Sequence, residues 1–375
     1  MNKIVITGGH LTPALAVIDE LRDQGGWKIL FIGRKHASET DKALSVESEI
    51  IPKMGIKFVP ITTGRVYREI SLLALLSLTK IPLGFGQSLY NLLKFRPQVI
   101  LSFGGYLSVP VVLAGWLLGI PIVSHEQTTV KGLATRFNEV FSKKVAVSWP
   151  NTIGSFSSKK VVLSGNPIRQ AVFKNHQQFW ESLGFAQSLP LIVVTGGNQG
   201  SHVINQIIGK ILPKILIKAN VFHQCGHLIS FDDFQNLKTI KKQLPVDLRS
   251  HYQVDQYISQ EALGTLFDKA DLIISRAGIN TLTELLLLGK PAVLIPYPYQ
   301  YQSEQIKNAQ MVADLGMAEI LMEKELTPNR LYNLIIRMLG NIKVYQKKAS
   351  QGKKMVRLDA AKKIVEILRE VLVRY

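Results

Sequence analysis

The sequence predicts an α/β fold with two doubly wound parallel sheets, one in each half of the chain. The clearest observation is an internal repeat, because IVITGGH at residues 4–10 returns as IVVTGGN at residues 192–198. A looser pair, VILSFGGYLS at residues 99–108 and LIISRAGINT at residues 272–281, follows in the same order. The chain has 375 residues, 46% of them hydrophobic, which is enough to bury two cores. We therefore expect two Rossmann-like domains that face each other across a cleft, with ligands beyond the carboxyl ends of the strands.

The first element is a buried strand, Ile4 to Ile6, and the helix that follows has Pro13 in its first turn. The turn between them contains Gly8, Gly9 and His10. Such a turn directs backbone N–H groups and the positive end of the helix dipole toward one point, which suits a phosphate. His10 is therefore predicted to be either an anchor for an anion or a base.

The stretch from Pro97 to Ser124 contains no charged residue and could be mistaken for a membrane span. Glycine and proline divide it into a strand (Val99 to Ser102), a glycine turn, an apolar helix near Val111 to Leu118 and a strand at Ile122 and Val123. Doubly wound sheets contain buried elements of this kind. We expect buried core here.

A second apolar stretch, ISLLALLSLTKIPLGFG at residues 70–86, is interrupted by Lys80 and Pro82 and is too broken to span a membrane. It is flanked by four basic residues, Arg65, Arg68, Lys94 and Arg96. That pattern fits an interfacial patch whose basic rim meets anionic headgroups, and the alternative is an ordinary buried helix.

The domain boundary is predicted after the strand VVL, at Ser164-Gly165-Asn166-Pro167. The first domain would comprise residues 1–164 and the second residues 165–349. The last helix, about residues 353–373 within a segment of about 350–375, lies beyond the strand pattern of the second domain. We expect it to pack back on the first.

Composition excludes several classes of protein. A single cysteine, Cys225, rules out an internal disulfide framework and favours the cytoplasm. The net charge of +18 indicates an anionic partner, but no basic-aromatic stripe or recognition helix supports nucleic acid. No turn has the GxGxxG spacing of a dinucleotide fingerprint, and neither a phosphate-binding P-loop nor zinc-type spacing occurs. A dehydrogenase is disfavoured, and no cofactor or metal is predicted.

An ordered set of motifs identifies a family. The segments TGGHLTPALAV, SFGGYLSVPVVLAGWLLGIPIVSHEQ, VAVSWP, SGNPIR, TGGNQGS, HQCG, SRAGINTLTELLLLGKPAVLIPYP and EQIKNA together resemble the MurG family of glycosyltransferases. The resemblance covers nearly the whole chain. It implies a GT-B enzyme that moves N-acetylglucosamine (GlcNAc) from UDP-GlcNAc to lipid I, with inversion and without a metal, at the cytoplasmic face of the membrane. The product would be lipid II of peptidoglycan.

On this resemblance the first domain would bind the acceptor and the membrane. TGGHLTPA and FGGYLS would cradle the acceptor's diphosphate, and His10 would be the catalytic base. Tyr106 and Glu126 are further candidates for acceptor or sugar contacts, whereas His125 is expected to support its loop. The predicted acceptor residues are Thr7, Gly8, Gly9, His10, Gly104, Gly105, Tyr106 and Glu126.

The second domain would bind the donor through three kinds of group. A diphosphate needs backbone donors or arginine, a ribose diol needs a carboxylate, and uracil needs backbone hydrogen bonds. Glu284 matches the family's ribose-binding glutamate, and Thr128 stands where the family has a sugar-binding asparagine. The predicted donor residues are Thr128, Arg169, Gly197, Asn198, Gln199, Gly200, Ser201, Ile279, Glu284 and Gln305. His223 is expected to be a core histidine at a strand end.

Three other functions stay open at this point. A related enzyme could transfer a sugar to another lipid such as diacylglycerol, or epimerise UDP-GlcNAc. A non-enzymatic relative could serve as the membrane-recruiting subunit of a two-part transferase. Such a subunit would carry half of this architecture, whereas this chain has both halves and the donor motifs.

Overall fold

The computed structural model describes residues 1–36, 44–64, 72–156, 159–197, 199–226 and 231–373. The chain forms two compact units. Unit 1 comprises Met1–Arg169 and Arg357–Tyr375, and unit 2 comprises Gln170–Val356. Each contains a sheet of parallel strands with helices between them, which confirms the predicted α/β class.

Unit 1 is built on a seven-stranded sheet of order β3-β2-β1-β4-β5-β6-β7. Its strands are β1 (Asn2–Thr7), β2 (Trp27–Gly33), β3 (Lys57–Pro60), β4 (Val99–Ser102), β5 (Ile122–Glu126), β6 (Lys144–Val147) and β7 (Val161–Leu163). Its first six helices are α1 (Leu11–Gln24), α2 (Val46–Lys53), α3 (Leu72–Phe95), α4 (Ser108–Leu117), α5 (Leu133–Phe141) and α6 (Pro150–Ile153). The strand order reverses between β1 and β4, and in such sheets the loops after the reversing strands leave room for a ligand.

Alternation along β1 explains how both faces of this sheet are covered. Ile4 and Ile6 pack with α1, whereas Val5 faces Val111 and Val112 of α4. Successive side chains of a strand point to opposite faces, so a strand buried on both sides is apolar throughout.

The uncharged segment forms β4, α4 and β5, and its helix is mostly buried, which confirms the prediction of core structure. Helix α4 begins at Ser108, three residues before the predicted start, because Pro110 is tolerated in a first helical turn. None of the helices in the described ranges has the length and hydropathy needed to cross a membrane.

Unit 2 is built on a six-stranded sheet of order β10-β9-β8-β11-β12-β13, which reverses between β8 and β11. Its strands are β8 (Leu191–Thr195), β9 (Asn220–Gln224), β10 (Tyr252–Asp255), β11 (Leu272–Ser275), β12 (Ala292–Leu294) and β13 (Ala318–Ile320). Its helices are α7 (Gln177–Ser182), α8 (His202–Ile215), α9 (Asp233–Gln243), α10 (Val246–Arg249), α11 (Gln260–Lys269), α12 (Ile279–Leu288), α13 (Glu304–Ala313), α14 (Pro328–Gly340) and α15 (Ile342–Ala349).

The last helix, α16 (Ala360–Val373), belongs to unit 1 and packs on α1. Its buried residues Ile364 and Leu368 join the same core cluster as Ile4, Leu101 and Val123. The core of unit 1 therefore contains side chains from both ends of the described sequence.

Candidate functional site

Two glycine turns lie against each other at the carboxyl ends of β1 and β4. The N–H of Gly9 donates to the carbonyl of Gly104 over 3.1 Å. Gly8 has a φ of +139°, and a Cβ atom there would lie 2.8 Å from the carbonyl carbon of Phe103. Only glycine fits this position, so the two loops form one backbone surface at the point where the strand order reverses.

His10 follows this turn, and its ring orientation is fixed by a hydrogen bond. Its Nδ1 lies 2.7 Å from the carbonyl oxygen of Phe103. Because a carbonyl can only accept, Nδ1 must carry the proton and donate. In the neutral ring Nε2 then holds the lone pair, so this half-buried imidazole can receive a proton at Nε2.

Glu126, at the end of β5, organises the loop that follows it. One carboxylate oxygen accepts from the N–H and hydroxyl of Thr128, over 3.2 and 3.1 Å, and the other accepts from the N–H of Gly132 over 2.9 Å. Both Glu126 and Thr128 are buried. Their polar groups therefore hold residues 126–132 in shape at the start of α5.

The remaining predicted acceptor residues are placed around these turns. Thr7 is the buried last residue of β1, and Tyr106 packs partly against the core next to α4. Gly104 is buried and Gly105 is half-buried in the turn after β4. The structure thus brings the strand ends of β1, β4 and β5 to one edge of the unit 1 sheet.

His125 lies beneath this edge and is buried, as expected of a supporting residue. Its Nε2 lies 3.1 Å from the hydroxyl of Ser148, and its ring meets the Phe103 ring edge to face at 5.4 Å. Burial lowers the pKa of His125 to about 4, against a smaller opposing effect of the Gly165 carbonyl. The ring is therefore neutral at physiological pH.

In unit 2 the loop after β8 is packed closely on the loop after β9. A Cβ atom on Gly200, whose φ is +80°, would lie 2.0 Å from the carbonyl oxygen of Cys225. The hydroxyl of Thr195 accepts from the N–H of Gly197 over 3.1 Å and donates to the side chain of Gln224 over 2.5 Å. Gln199 is exposed at the tip of this loop, and Asn198 lies outside the described residues.

Ser201 ends this loop as the N-cap of α8, but its side chain makes no capping bond. Its hydroxyl oxygen instead accepts from Nη2 of Arg276 over 2.7 Å. The same guanidinium donates to the carbonyl of Ile295 over 3.2 Å and pairs with Glu323 over 2.5 Å. Arg276 thereby joins the loop after β8 to the segment after β12, and the first-turn N–H groups of α8 receive no side-chain cap from Ser201.

Sequence reasoning missed Arg276. The available signal was a cation directly after β11, the strand that lies beside β8 where the order reverses. Its partners Ser201 and Glu323 are far away in sequence, so no local pattern indicated the contact.

Of the other predicted donor residues, Ile279, Glu284 and Gln305 lie on α12 and α13 of unit 2, whereas Arg169 belongs to unit 1. Ile279 begins α12, and Glu284 is buried in the second turn of the same helix. From α13, the side-chain oxygen of Gln305 accepts from the N–H groups of Ala277 and Tyr297 over 3.1 and 2.9 Å. Arg169, the last residue of the first segment of unit 1, is half-buried.

The part of the chain that the structure describes contains no group of three or more His, Cys, Asp or Glu side chains placed to hold a metal ion. His223 and Cys225, at the end of β9, are both buried. His223 lies between the side chains of Tyr252 and Asn205, at 3.1 and 3.0 Å, and burial lowers its pKa to about 3. It is the core histidine that the sequence predicted.

Family models match both halves of the chain. Residues 6–147 match the glycosyltransferase family 28 N-terminal domain, and residues 191–364 match the glycosyltransferase family 28 C-terminal domain. The chain is 32% identical over 376 residues to the UDP-N-acetylglucosamine–N-acetylmuramyl-(pentapeptide) pyrophosphoryl-undecaprenol N-acetylglucosamine transferase of Clostridium botulinum strain Langeland, with 99% of each chain covered. A transferase of the same name from Thermoanaerobacter sp. strain X514 is 32% identical with 97% of each covered.

Solved structures show the same fold. Acinetobacter baumannii MurG is 26% identical, with a TM-score of 0.70 over 99% of this chain and 100% of that one. The UDP-GlcNAc 2-epimerase of Neisseria meningitidis, solved with UDP-GlcNAc, has a TM-score of 0.64 over 99% of this chain and all of that one. At 15% identity it shares the fold alone.

The two buried histidines predict a loss of stability in acid. Native His125 and His223 have pKa values of about 4 and about 3, whereas unfolded histidine titrates near 6.5, so only the unfolded chain takes up protons as pH falls below 6.5. Each should lower the free energy of unfolding by about 2 kcal/mol between pH 7 and pH 5. Urea denaturation of His223→Gln should show a smaller acid loss than wild type.

The matched control is His251→Gln, which replaces a half-buried histidine whose Nδ1 meets the carbonyl of Leu216. It measures how much of any change comes from replacing a histidine that is not fully buried. An acid loss in His223→Gln equal to that of wild type would contradict the assignment.

Proposed function

The chain belongs to the MurG transferases of glycosyltransferase family 28. We propose that each of its two glycine-loop sites binds one of the two substrates of the glycosyl transfer. The enzyme is an N-acetylglucosaminyltransferase of peptidoglycan synthesis. It moves GlcNAc from UDP-GlcNAc to the 4-hydroxyl of undecaprenyl-pyrophosphoryl-MurNAc-pentapeptide, lipid I, and the products are lipid II and UDP. The observation that carries the proposed mechanism is the fixed tautomer of His10 at the carboxyl end of β1.

We assign unit 1 to the acceptor. The loops Thr7–His10 and Gly104–Tyr106 offer backbone groups at the start of α1, where a diphosphate is favoured by the helix dipole. Glu126 supports this edge through the loop it organises. The acceptor's 4-hydroxyl would then be presented to Nε2 of His10.

The proposed reaction is a single displacement. The acceptor's O4 attacks the anomeric carbon of GlcNAc while the bond from that carbon to the β-phosphate oxygen breaks, and UDP leaves with the electron pair. The proton of O4 passes to Nε2 of His10, which the hydrogen bond from Nδ1 to Phe103 keeps able to accept it. Attack opposite the leaving group inverts the anomeric centre.

We assign unit 2 to the donor. The loop from Gly197 to Ser201 and the uncapped first turn of α8 would bind the diphosphate. Arg169, which belongs to unit 1, stays a predicted diphosphate contact. Glu284 would accept from the ribose hydroxyls, and Ile279 would contribute backbone groups at the start of α12. Gln305 uses its oxygen internally, so its NH2 is the group it would offer to the sugar. Thr128 would be a sugar contact only if its loop rearranged, since its hydroxyl is engaged with Glu126 and Val130.

We further propose that unit 1 rests on the anionic cytoplasmic face of the cell membrane. Helix α3 packs against α4, and both carry apolar side chains in water: Leu83, Tyr90 and Leu93 on α3, and Trp116 and Leu117 on α4. The exposed cations Lys94 and Arg96 lie at the end of α3. Of the predicted patch at residues 70–86, residues 70 and 71 lie outside the described residues, as do Arg65 and Arg68.

Glu284→Gln tests the donor site. Removing the carboxylate charge should cost a hydrogen bond worth about 1.5–3 kcal/mol, so calorimetry should show UDP affinity reduced about tenfold or more. The neighbouring Thr283→Val, also buried on α12 but bonded back to the Ile279 carbonyl, serves as the control and should bind UDP nearly normally. Unchanged affinity in Glu284→Gln would remove Glu284 from the site.

His10→Ala tests the base. Turnover measured as UDP release with lipid I should fall about 100-fold or more, because a general base contributes roughly that much. UDP affinity should stay at the wild-type value, since Glu284 and the loop from Gly197 to Ser201, which are proposed to hold UDP, lie in unit 2 and are unchanged. Wild-type turnover in His10→Ala at saturating acceptor would refute the base, and UDP release by the wild type with diacylglycerol but not lipid I would refute the acceptor.

Trp116→Ser combined with Leu117→Ser tests the membrane surface. Flotation with vesicles containing phosphatidylglycerol should show reduced binding, because both side chains are more than half exposed and contribute apolar contact. Ile217→Ser with Val246→Ser changes equally exposed apolar residues of unit 2 and should float like wild type. Equal loss in both pairs would argue against a specific surface on unit 1.

A further inference from the structure

A buried polar cluster lies beneath the glycine turn after β4. Asn138 of α5, Ser102 at the end of β4 and Ser108 at the start of α4 are all fully buried. The side-chain nitrogen of Asn138 donates to both serine hydroxyl oxygens, over 3.1 Å to Ser102 and 2.8 Å to Ser108. One amide group thus joins the residues on either side of the turn.

Each of the two serines also forms a hydrogen bond with the backbone of the turn. The oxygen of Ser102 accepts from the N–H of Gly104 over 3.3 Å, and the hydroxyl of Ser108 donates to the carbonyl of Gly105 over 2.8 Å. Because the hydroxyl hydrogen of Ser108 is donated to the Gly105 carbonyl, the Ser108 oxygen must accept from Asn138. The orientation of the Asn138 amide is therefore determined by the network.

The turn in turn determines where His10 lies. The carbonyls of Phe103 and Gly104 accept from Nδ1 of His10 and from the N–H of Gly9, over 2.7 and 3.1 Å. Gly104 and Gly105 both have positive φ, at 68° and 74°, and no side chain of their own holds them there. A continuous series of hydrogen bonds therefore runs from α5 through the turn to the imidazole.

We propose that Asn138 is a positioning residue, which fixes the glycine turn after β4 and through it the tautomer and orientation of the His10 base. This inference rests on the proposed function of His10. Stability alone does not account for the asparagine, because among the described residues its Oδ1 is buried without a hydrogen-bond partner. An unpaired buried oxygen is destabilising, and an apolar side chain of similar size would avoid it.

Asn138→Leu removes both bonds from the amide while keeping the number and branching of the side-chain heavy atoms. We expect kcat at saturating substrates to fall tenfold or more, with the dissociation constant of UDP within twofold of wild type. Ser108→Ala makes a smaller change, since it cuts only the branch to Gly105, and should lower kcat severalfold. If Asn138→Leu does not fold, the kcat of Ser108→Ala tests the proposal.

Asn220→Leu is the matched control. Asn220 is also a buried asparagine, and its side-chain nitrogen donates to the carbonyls of Ala186 and Leu189 over 2.8 and 3.2 Å, at the amino end of β9. Whatever its effect on the melting temperature, it should keep the wild-type kcat at a temperature where both variants are folded. An equal fall of kcat in the two variants would overturn the proposal.

A second measurement does not depend on activity. In protein labelled with 15N-histidine, the His10 signal, assigned by its absence from His10→Ala, should show that the neutral form of the ring carries its proton at Nδ1. Asn138→Leu and Ser108→Ala should shift it toward a mixture of the two tautomers. Wild-type kcat together with a wild-type His10 signal in both variants would overturn the positioning role, whereas absence of GlcNAc transfer by the wild-type enzyme would refute the proposed function and leave the tautomer measurement to decide the structural part.

Discussion

The hydrogen bond from His10 to the Phe103 carbonyl is the contact on which the rest of the unit 1 site depends. It crosses from the loop after β1 to the loop after β4, which are adjacent strands far apart in sequence. The bond selects one tautomer, and it can form only because Gly8 lets the two backbones approach. The pairing of β1 with β4, the glycine at position 8 and the proton on Nδ1 of His10 therefore depend on one another.

The two units connect the loops after their neighbouring strands in different ways. Both sheets reverse their order beside a strand that is followed by a glycine loop, but unit 1 joins the neighbouring loops through the His10 imidazole and backbone carbonyls. Unit 2 uses Arg276, whose charge is balanced by Glu323. A guanidinium paired with a carboxylate holds its loop without presenting a full unbalanced charge.

The fold was accessible from sequence because its signals are local. Alternation along β1, the glycine turns and the prolines depend on neighbouring residues, and the repeat between the halves showed that the pattern occurs twice. The buried state of His223 was predicted on the same basis. The site residues themselves stay predictions, since the structure places them without a substrate.

What the sequence could not show are contacts set by tertiary packing. Arg276 to Ser201 and Asn138 to Ser102 join residues whose spacing follows no helical or strand period. The carboxylate of Glu126 looked available for a ligand, yet it is occupied by the backbone of its own loop. The hydrogen-bond partners of such side chains can be identified only when the fold of the chain is known.

The return of α16 to unit 1 has a consequence for biosynthesis. Unit 2 is a continuous stretch of chain, and it can fold once its residues have left the ribosome. Unit 1 begins first, but the core that contains Ile4, Leu101 and Val123 stays incomplete until Ile364 and Leu368 have been made. The half of the protein that is translated first is thus completed last, and in that interval apolar side chains of its unfinished core are exposed to water.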